Sequence, residues 1–253
     1  MLKTTYLFLE QKYDTMKEKG NTMKEKIIAS FSGGKDSTYM LHKLLQENKY
    51  EIVSLLTTVT TKDETSGHMV DYKLIESQAA AIGLPLYKIQ YPLYDGKGFE
   101  KGMIEAMEHF RKEGVTKIAF GDLFLEECIA YKQHLVESNG YELILPLAGI
   151  DTKQLVMEFI ELGYKGKIVS IRMDKLDSSF LGRDLDKSFI EALPEDTDPC
   201  GEFGEYHTFV YDGPIFSHPI YIELEDERQG IPSNALFSEI GYKRAVKREW
   251  IDR

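Results

Sequence analysis

Ile27-Ile28-Ala29-Ser30-Phe31-Ser32-Gly33-Gly34-Lys35-Asp36-Ser37 joins a short apolar run to a Ser-Gly-Gly-Lys-Asp-Ser turn, and a helix-patterned segment follows with Tyr39, Met40, Leu41, Leu44 and Leu45. Strand, glycine turn and helix place a helix N-terminus at the carboxyl edge of a sheet. There, unpaired N–H groups and the positive end of the macrodipole favour an anion. Gly33 and Gly34 would let the backbone approach a phosphate with no Cβ in the way. Ser32 and Ser37 add hydroxyl donors, and Lys35, as an exposed loop residue, adds a mobile positive charge. A Walker A loop needs four residues between its first glycine and its Gly-Lys pair, and this turn has none. A glycine turn without a ligand is the plainer alternative.

Outward from this loop, elements alternate. The β-rich run 52–59 predicts a second strand, and 60–67 a polar loop. Helical spacing of Leu74, Ile75, Ala79 and Ile82 predicts a helix over 70–82, stopped by Gly83, with a strand at 86–89. A helix over 98–113 carries Phe99, Met103, Ile104, Met107 and Phe110 on one face. A strand at 117–120 runs into Gly121-Asp122, followed by a helix over 124–137 and a strand over 143–147. Strands alternating with helices imply an α/β fold with a doubly wound parallel sheet. Its ligand belongs at the carboxyl ends of the strands, near the switch in strand order. The Ser32–Ser37 turn and Gly121-Asp122 both fall at such ends.

From about Gly149 the texture changes to that of a smaller α+β region. A helix over 152–162 and a strand over 167–171 lead to Asp198-Pro199-Cys200-Gly201-Glu202-Phe203-Gly204-Glu205-Tyr206-His207-Thr208, dense in acidic residues and glycine. A β-prone 209–211 and a last strand at 221–224 follow. The tail charges Lys243, Arg244, Lys247 and Arg248 read as a solvated helix face. The expected division is an arm over 1–23, with Met23 near the functional start, a nucleotide-binding part over 24–148 and a substrate-binding part over 149–253.

The 253 residues carry a net charge of −11, which argues against strong nucleic-acid binding. No apolar run approaches the ~20 residues of a membrane span. Leu7-Phe8-Leu9 is too short for a signal-peptide core, so a cytoplasmic setting is expected. The two cysteines, Cys128 and Cys200, form no CxxC, zinc pattern or disulfide framework.

The Ser-Gly-Gly-Lys-Asp-Ser turn after a strand resembles the pyrophosphate loop (PP-loop) of the adenine nucleotide alpha-hydrolase superfamily, whose members cleave ATP between the α and β phosphates. More stretches resemble one family in particular. They are Phe120-Gly121-Asp122-Leu123-Phe124-Leu125-Glu126, Pro146-Leu147 to Asp151-Thr152, Leu176-Asp177 to Ser179-Phe180-Leu181-Gly182-Arg183, and Asp198 through Phe209. In order and spacing they look like the diphthine–ammonia ligase family over roughly residues 26–221. The resemblance implies a Rossmann-like PP-loop domain and ATP-dependent amide synthesis. A carboxylate, for the named family diphthine on elongation factor 2, attacks the α-phosphate, and ammonia (supplied as ammonium) then displaces AMP.

On that reading ATP meets Ser32, Gly33, Gly34, Lys35, Asp36, Ser37 and Gly121, and Asp36 and Asp122 hold Mg2+. Lys35, Asp122, Glu202 and His207 carry the chemistry. His68, in a loop and at a position the family fills with histidine, binds substrate with Cys200, Gly201 and Glu205. Plainer alternatives stand beside these roles. Asp36 could be a helix-start charge, Asp122 a turn residue, His68 an exposed loop histidine, Cys200 a small buried apolar residue, and the acidic stretch a cap on the second region. Relatives often carry an arginine after the Gly-Asp segment, whereas this chain offers Lys132, which lacks the planar fork. Competing functions are a relative acting on another small carboxylate or thiolating RNA, and a non-catalytic ATP sensor. A homodimer is one open arrangement.

Overall fold

The computed structural model describes residues 24–65, 68–92, 95–230 and 240–247. The expected arm over 1–23, the end of the polar loop at 66–67 and Arg248 lie outside the described residues.

Strand β1 (Glu25–Ser30) sends Ile27 and Ala29 into one apolar layer and Ile28 into the other. Burial on both faces is what a continuous apolar run in a parallel sheet provides for. The chain continues through α1 (Lys35–Glu47), β2 (Tyr50–Val59), α2 (Tyr72–Ile82), β3 (Leu86–Gln90), α3 (Gly96–Arg111), β4 (Lys117–Ala119), α4 (Glu126–Ser138) and β5 (Glu142–Ile144). All neighbouring strands pair parallel, in the order β3-β2-β1-β4-β5. Helices α1 and α2 pack on one face through Met40, Leu41, Leu44, Leu74 and Ile75. Helices α3 and α4 cover the other through Met103, Met107, Phe110, Leu135 and Val136. This is the α/β doubly wound architecture expected. The expected strand over 143–147 is short, ending at Ile144 ahead of Pro146, which has no N–H for a ladder. Strand order reverses between β1 and β4, so their carboxyl ends open a crevice.

The second region holds α5 (Thr152–Glu161), β6 (Lys165–Arg172), α6 (Lys187–Ala192), β7 (Tyr206–Asp212), β8 (Ile222–Gly230) and β9 (Ile240–Lys247). Its four strands form an antiparallel sheet ordered β7-β6-β9-β8. Here the expected solvated helix face is wrong, because Lys243, Arg244 and Lys247 lie in strand β9. Arg244 is not a solvent charge either. It pairs with Glu64 at 3.1 Å, Asp71 at 3.0 Å and Glu225 at 3.8 Å. Gly241 and Ala245, both buried, lie on the face of β9 opposite Arg244.

The two sheets share one core. Residues of β1, α1 and α2 pack in the same apolar cluster as Phe159, Ile168, Val169, Phe209 and Val210. The seam is also hydrogen-bonded, with Val210 N donating to Gly33 O at 2.9 Å. The buried Gln78 donates from Nε2 both to Gly33 O at 3.0 Å and to Val210 O at 2.6 Å. No helix among the described residues is long and apolar enough to cross a membrane.

Candidate active site

The crevice between β1 and β4 is a cavity of about 310 Å³. The PP-loop side lines it with Ser30, Ser32, Lys35, Asp36 and Ser37, and the β4 end with Phe120, Gly121 and Asp122. The second region adds Gly201, Glu202, Tyr206, His207 and Thr208, and the loop after β2 adds His68. Gly121 allows the two strand ends to meet. A Cβ there would stand 3.0 Å from the Asp36 carbonyl carbon and oxygen and 3.2 Å from Ser37 N.

The PP-loop geometry is fixed by its own hydroxyls and by the second sheet. Ser37 Oγ accepts from Ser32 N at 3.3 Å and donates to Gly34 O at 3.1 Å. Gly34 precedes α1 without capping it through a side chain. The cap comes from 173 residues away, where Thr208 Oγ1 accepts from Lys35 N at 2.9 Å. The glycines serve packing more directly than expected. Gly33 has φ +82°, and a Cβ on it would meet Gln78 Oε1 and Ile75 Cδ1 at 2.5 Å. A Cβ on Gly34 would meet His68 Cε1 at 2.5 Å. Neither glycine is among the residues lining the cavity.

Lys35 is neither exposed nor mobile, being 3 % exposed with Nζ 2.8 Å from Asp36 Oδ2 and 5.3 Å from the Tyr206 ring centroid. Burial alone would lower its pKa. The adjacent Asp36 carboxylate outweighs that and raises it, so the ammonium stays charged. The other Asp36 oxygen, Oδ1, is buried with no hydrogen-bond partner. Such an atom is costly unless something binds it. Asp122 differs, since both its oxygens accept from Lys132 Nζ, at 2.5 and 2.7 Å. Lys132 thus lines the cavity as the partner of Asp122.

His68 Nδ1 lies 3.0 Å from Thr208 O, and since a carbonyl can only accept, Nδ1 carries the proton and Nε2 the lone pair. The His68 and His207 rings stand 4.7 Å apart at 41°. Burial lowers the pKa of both, and for His207 the neighbouring His68 and Lys35 add to it, so each is neutral near pH 7. Burial raises the Glu202 carboxyl to about 7, with the Asp36 charge contributing. Its Oε1 accepts from Leu123 N at 3.4 Å.

Two expected site residues stand behind the cavity wall. Cys200 is buried, its thiol donates to Thr152 O at 3.0 Å, and burial raises its pKa, so it is protonated. Glu205 is buried with Oε1 accepting from Asp198 N at 3.2 Å, and Oε2 has no partner. The sequence reading missed Thr208 and Tyr206 as site residues, and Gln78 as the residue that ties the loop to the second sheet. Gln78 had a signal, because it sits three and four residues after Ile75 and Leu74, inside the apolar stripe of α2, where a polar residue needs a partner.

A parallel sheet wound in both directions from β1, with a Ser-Gly-Gly-Lys-Asp-Ser loop at its switch point, defines a PP-loop α/β nucleotide enzyme. Residues 25–143 match the diphthamide synthase N-terminal domain and residues 151–246 the diphthamide synthase C-terminal domain. A zebrafish (Danio rerio) protein named diphthine–ammonia ligase is 26% identical over 256 residues, covering 90% of this chain and 97% of its own. The human (Homo sapiens) protein of that name is 27% identical over 251 residues, 88% and 91% of the two chains. A solved structure titled as a predicted subunit of tRNA methyltransferase, from Methanocaldococcus jannaschii, shares 21% identity with a TM-score of 0.40. It covers 75% of this chain and 98% of its own, a likeness too weak to bear on function. The chain belongs to the diphthine–ammonia ligase family, a family of ATP-dependent ligases.

Proposed function

We propose that this enzyme adenylates a carboxylate with ATP and aminates the acyl-adenylate with ammonia, the acceptor being diphthine on elongation factor 2. The reading is supported most by one juxtaposition. Lys35 and Asp36 of the PP-loop side share a 310 Å³ cavity with Glu202 and His207 of the second region. On this reading residues 24–148 carry ATP and residues 149–253 the acceptor.

In the first step a carboxylate oxygen bonds to the α-phosphorus, and the bond to the bridging oxygen breaks to release pyrophosphate. Lys35, held charged, and the hydroxyls of Ser32 and Ser37 stabilise the phosphate charge that develops. Mg2+ would fit here, held by Asp36, whose Oδ1 is buried without a hydrogen-bond partner. There it would supply charge neutralisation. Asp122, the second expected ligand, has both oxygens held by Lys132 Nζ and would join the ion by exchanging that partner.

In the second step the ammonia nitrogen bonds to the acyl carbon, AMP leaves, and the nitrogen gives up a proton. Glu202, titrating near 7, and the neutral His207 face the cavity as acceptors for it. Cys200, buried and protonated, is unsuited to carrying sulfur, which disfavours a thiolation chemistry.

The test supplies ATP, Mg2+, ammonium and diphthine-bearing elongation factor 2. AMP, pyrophosphate and the mass change from carboxylate to amide are expected together. ADP as product, or ATP binding without turnover, would overturn the proposal.

A further inference from the structure

Helix α4 has 13 residues, yet only Leu135 and Val136, near its end, are buried. Its first half packs against little, and it begins at the mouth of the cavity, between the cavity residues Leu125 and Lys132. Phe124, just before it, is 38 % exposed, and Phe203, in the second region, is 52 % exposed. Their ring centroids lie 5.5 Å apart at 66°. Each ring is one residue from a cavity-lining side chain, Leu125 in one case and Glu202 in the other. Two solvent-facing phenylalanines from distant parts of the chain thus meet at the rim of the site.

The charge around the pair has one dominant sign. Glu126 and Glu127 open α4, and both are exposed. Arg172, whose Nη1 donates to the Phe203 carbonyl at 3.3 Å, is itself paired with Asp174 at 2.6 Å, and the chain carries −11 overall. Aromatic faces are electron-rich and attract cations, more so beside carboxylates. A purely apolar partner would gain nothing from the glutamates, and a phosphate-rich one would be repelled.

We propose that Phe124 and Phe203, with Glu126 and Glu127, form a docking surface for a positively charged segment of the protein that bears the acceptor carboxylate. The surface is continuous with the cavity, so docking here delivers the carboxylate toward the PP-loop. The proposal rests on the amide-ligase reading above, and its test separates the two.

The experiment measures AMP formation against the concentration of diphthine-bearing elongation factor 2 for wild type, Phe124→Ala, Phe203→Ala, Phe203→Leu and Phe203→Tyr. Both alanine variants should raise KM for the acceptor about tenfold, the size of effect typical of an exposed anchor residue. KM for ATP and thermal stability should not move, because neither ring lines the cavity or is buried. Phe203→Tyr keeps the π face and should restore binding, whereas Phe203→Leu should not. Glu126→Gln with Glu127→Gln should raise KM further and flatten its dependence on salt.

Wild-type acceptor KM in the alanine variants overturns the docking surface while leaving the ligase reading intact. Rescue by leucine overturns the cationic partner. No AMP from wild type with this acceptor overturns the ligase reading itself. The exposed Cys128, four residues after Phe124, gives a readout independent of turnover. Acceptor protein should slow its alkylation by a maleimide. Slowing that instead follows the enzyme's own concentration would assign the surface to a second copy of the chain and overturn the proposal.

Discussion

The parallel sheet and the antiparallel sheet solve different problems. In the first, strands β1 to β4 are each followed by a helix that packs back on the sheet, so much of the apolar pattern is local. In the second, β6 lies between β7 and β9, and its neighbours arrive from far along the chain. Yet the PP-loop, born in the local sheet, takes its helix cap from Thr208 and a backbone bond from Val210. The chemistry is therefore locally encoded and distantly completed. Perturbing each side separately sharpens that contrast.

The largest effect belongs to the loop itself. Lys35→Ala should lower AMP formation on the order of 10²–10³-fold, the usual cost of removing one group that stabilises transition-state charge. Because Lys35 is buried against Asp36, the variant should also lose stability, which thermal unfolding will register. Turnover at the wild-type level would remove Lys35 from the chemistry.

Next comes the seam. Gln78→Leu keeps the volume but leaves Val210 O without its donor, for a loss of about 1–3 kcal/mol in urea unfolding. A loss near zero would mean that the Gln78 amide adds nothing to a seam held by apolar contact and by the bonds from Val210 N to Gly33 O and from Lys35 N to Thr208 Oγ1. Thr208→Val removes only the hydroxyl that caps α1, worth about 1 kcal/mol, and should raise KM for ATP while Thr208→Ser does not. Equal behaviour of valine and serine would show that the cap is dispensable.

The last effect is a pH dependence. The Glu202 carboxyl sits near 7 in the folded chain against an ordinary 4.5, so the fold favours its protonated form. Stability from this group is present below about 4.5 and is lost as pH rises through 7. Glu202→Gln should then gain on wild type in melting temperature between pH 5 and pH 8. Amide formation in wild type should climb through pH 7, and the variant should lack that inflection.

The same contrast decides what could be read from the amino acids. The loop, β1 and the succession of strands and helices each carry a local pattern, and the parallel sheet followed from them. Strand β9 carried none, since Lys243, Arg244 and Lys247 resemble a solvated helix face until Glu64, Asp71 and Glu225 are brought to Arg244 from two other places. The residues gathered at the cavity were largely visible as motifs, but their partners were not. That Lys132 engages Asp122, that Gly34 makes room for His68, and that Cys200 and Glu205 stand behind the wall are consequences of tertiary contact. Spacing along a chain does not encode them.

The bond from Val210 N to Gly33 O has a meaning in time as well as in space. A ribosome adding roughly 5–20 residues per second makes the glycine turn on the order of ten seconds or more before its partner strand. Throughout that interval the nascent sheet holds a PP-loop with no Thr208 on its helix and no strand along its edge. The bonds that fix the loop are thus available only as the last third of the chain is made, and Glu202, Tyr206, His207 and Thr208, which complete the cavity, arrive with them.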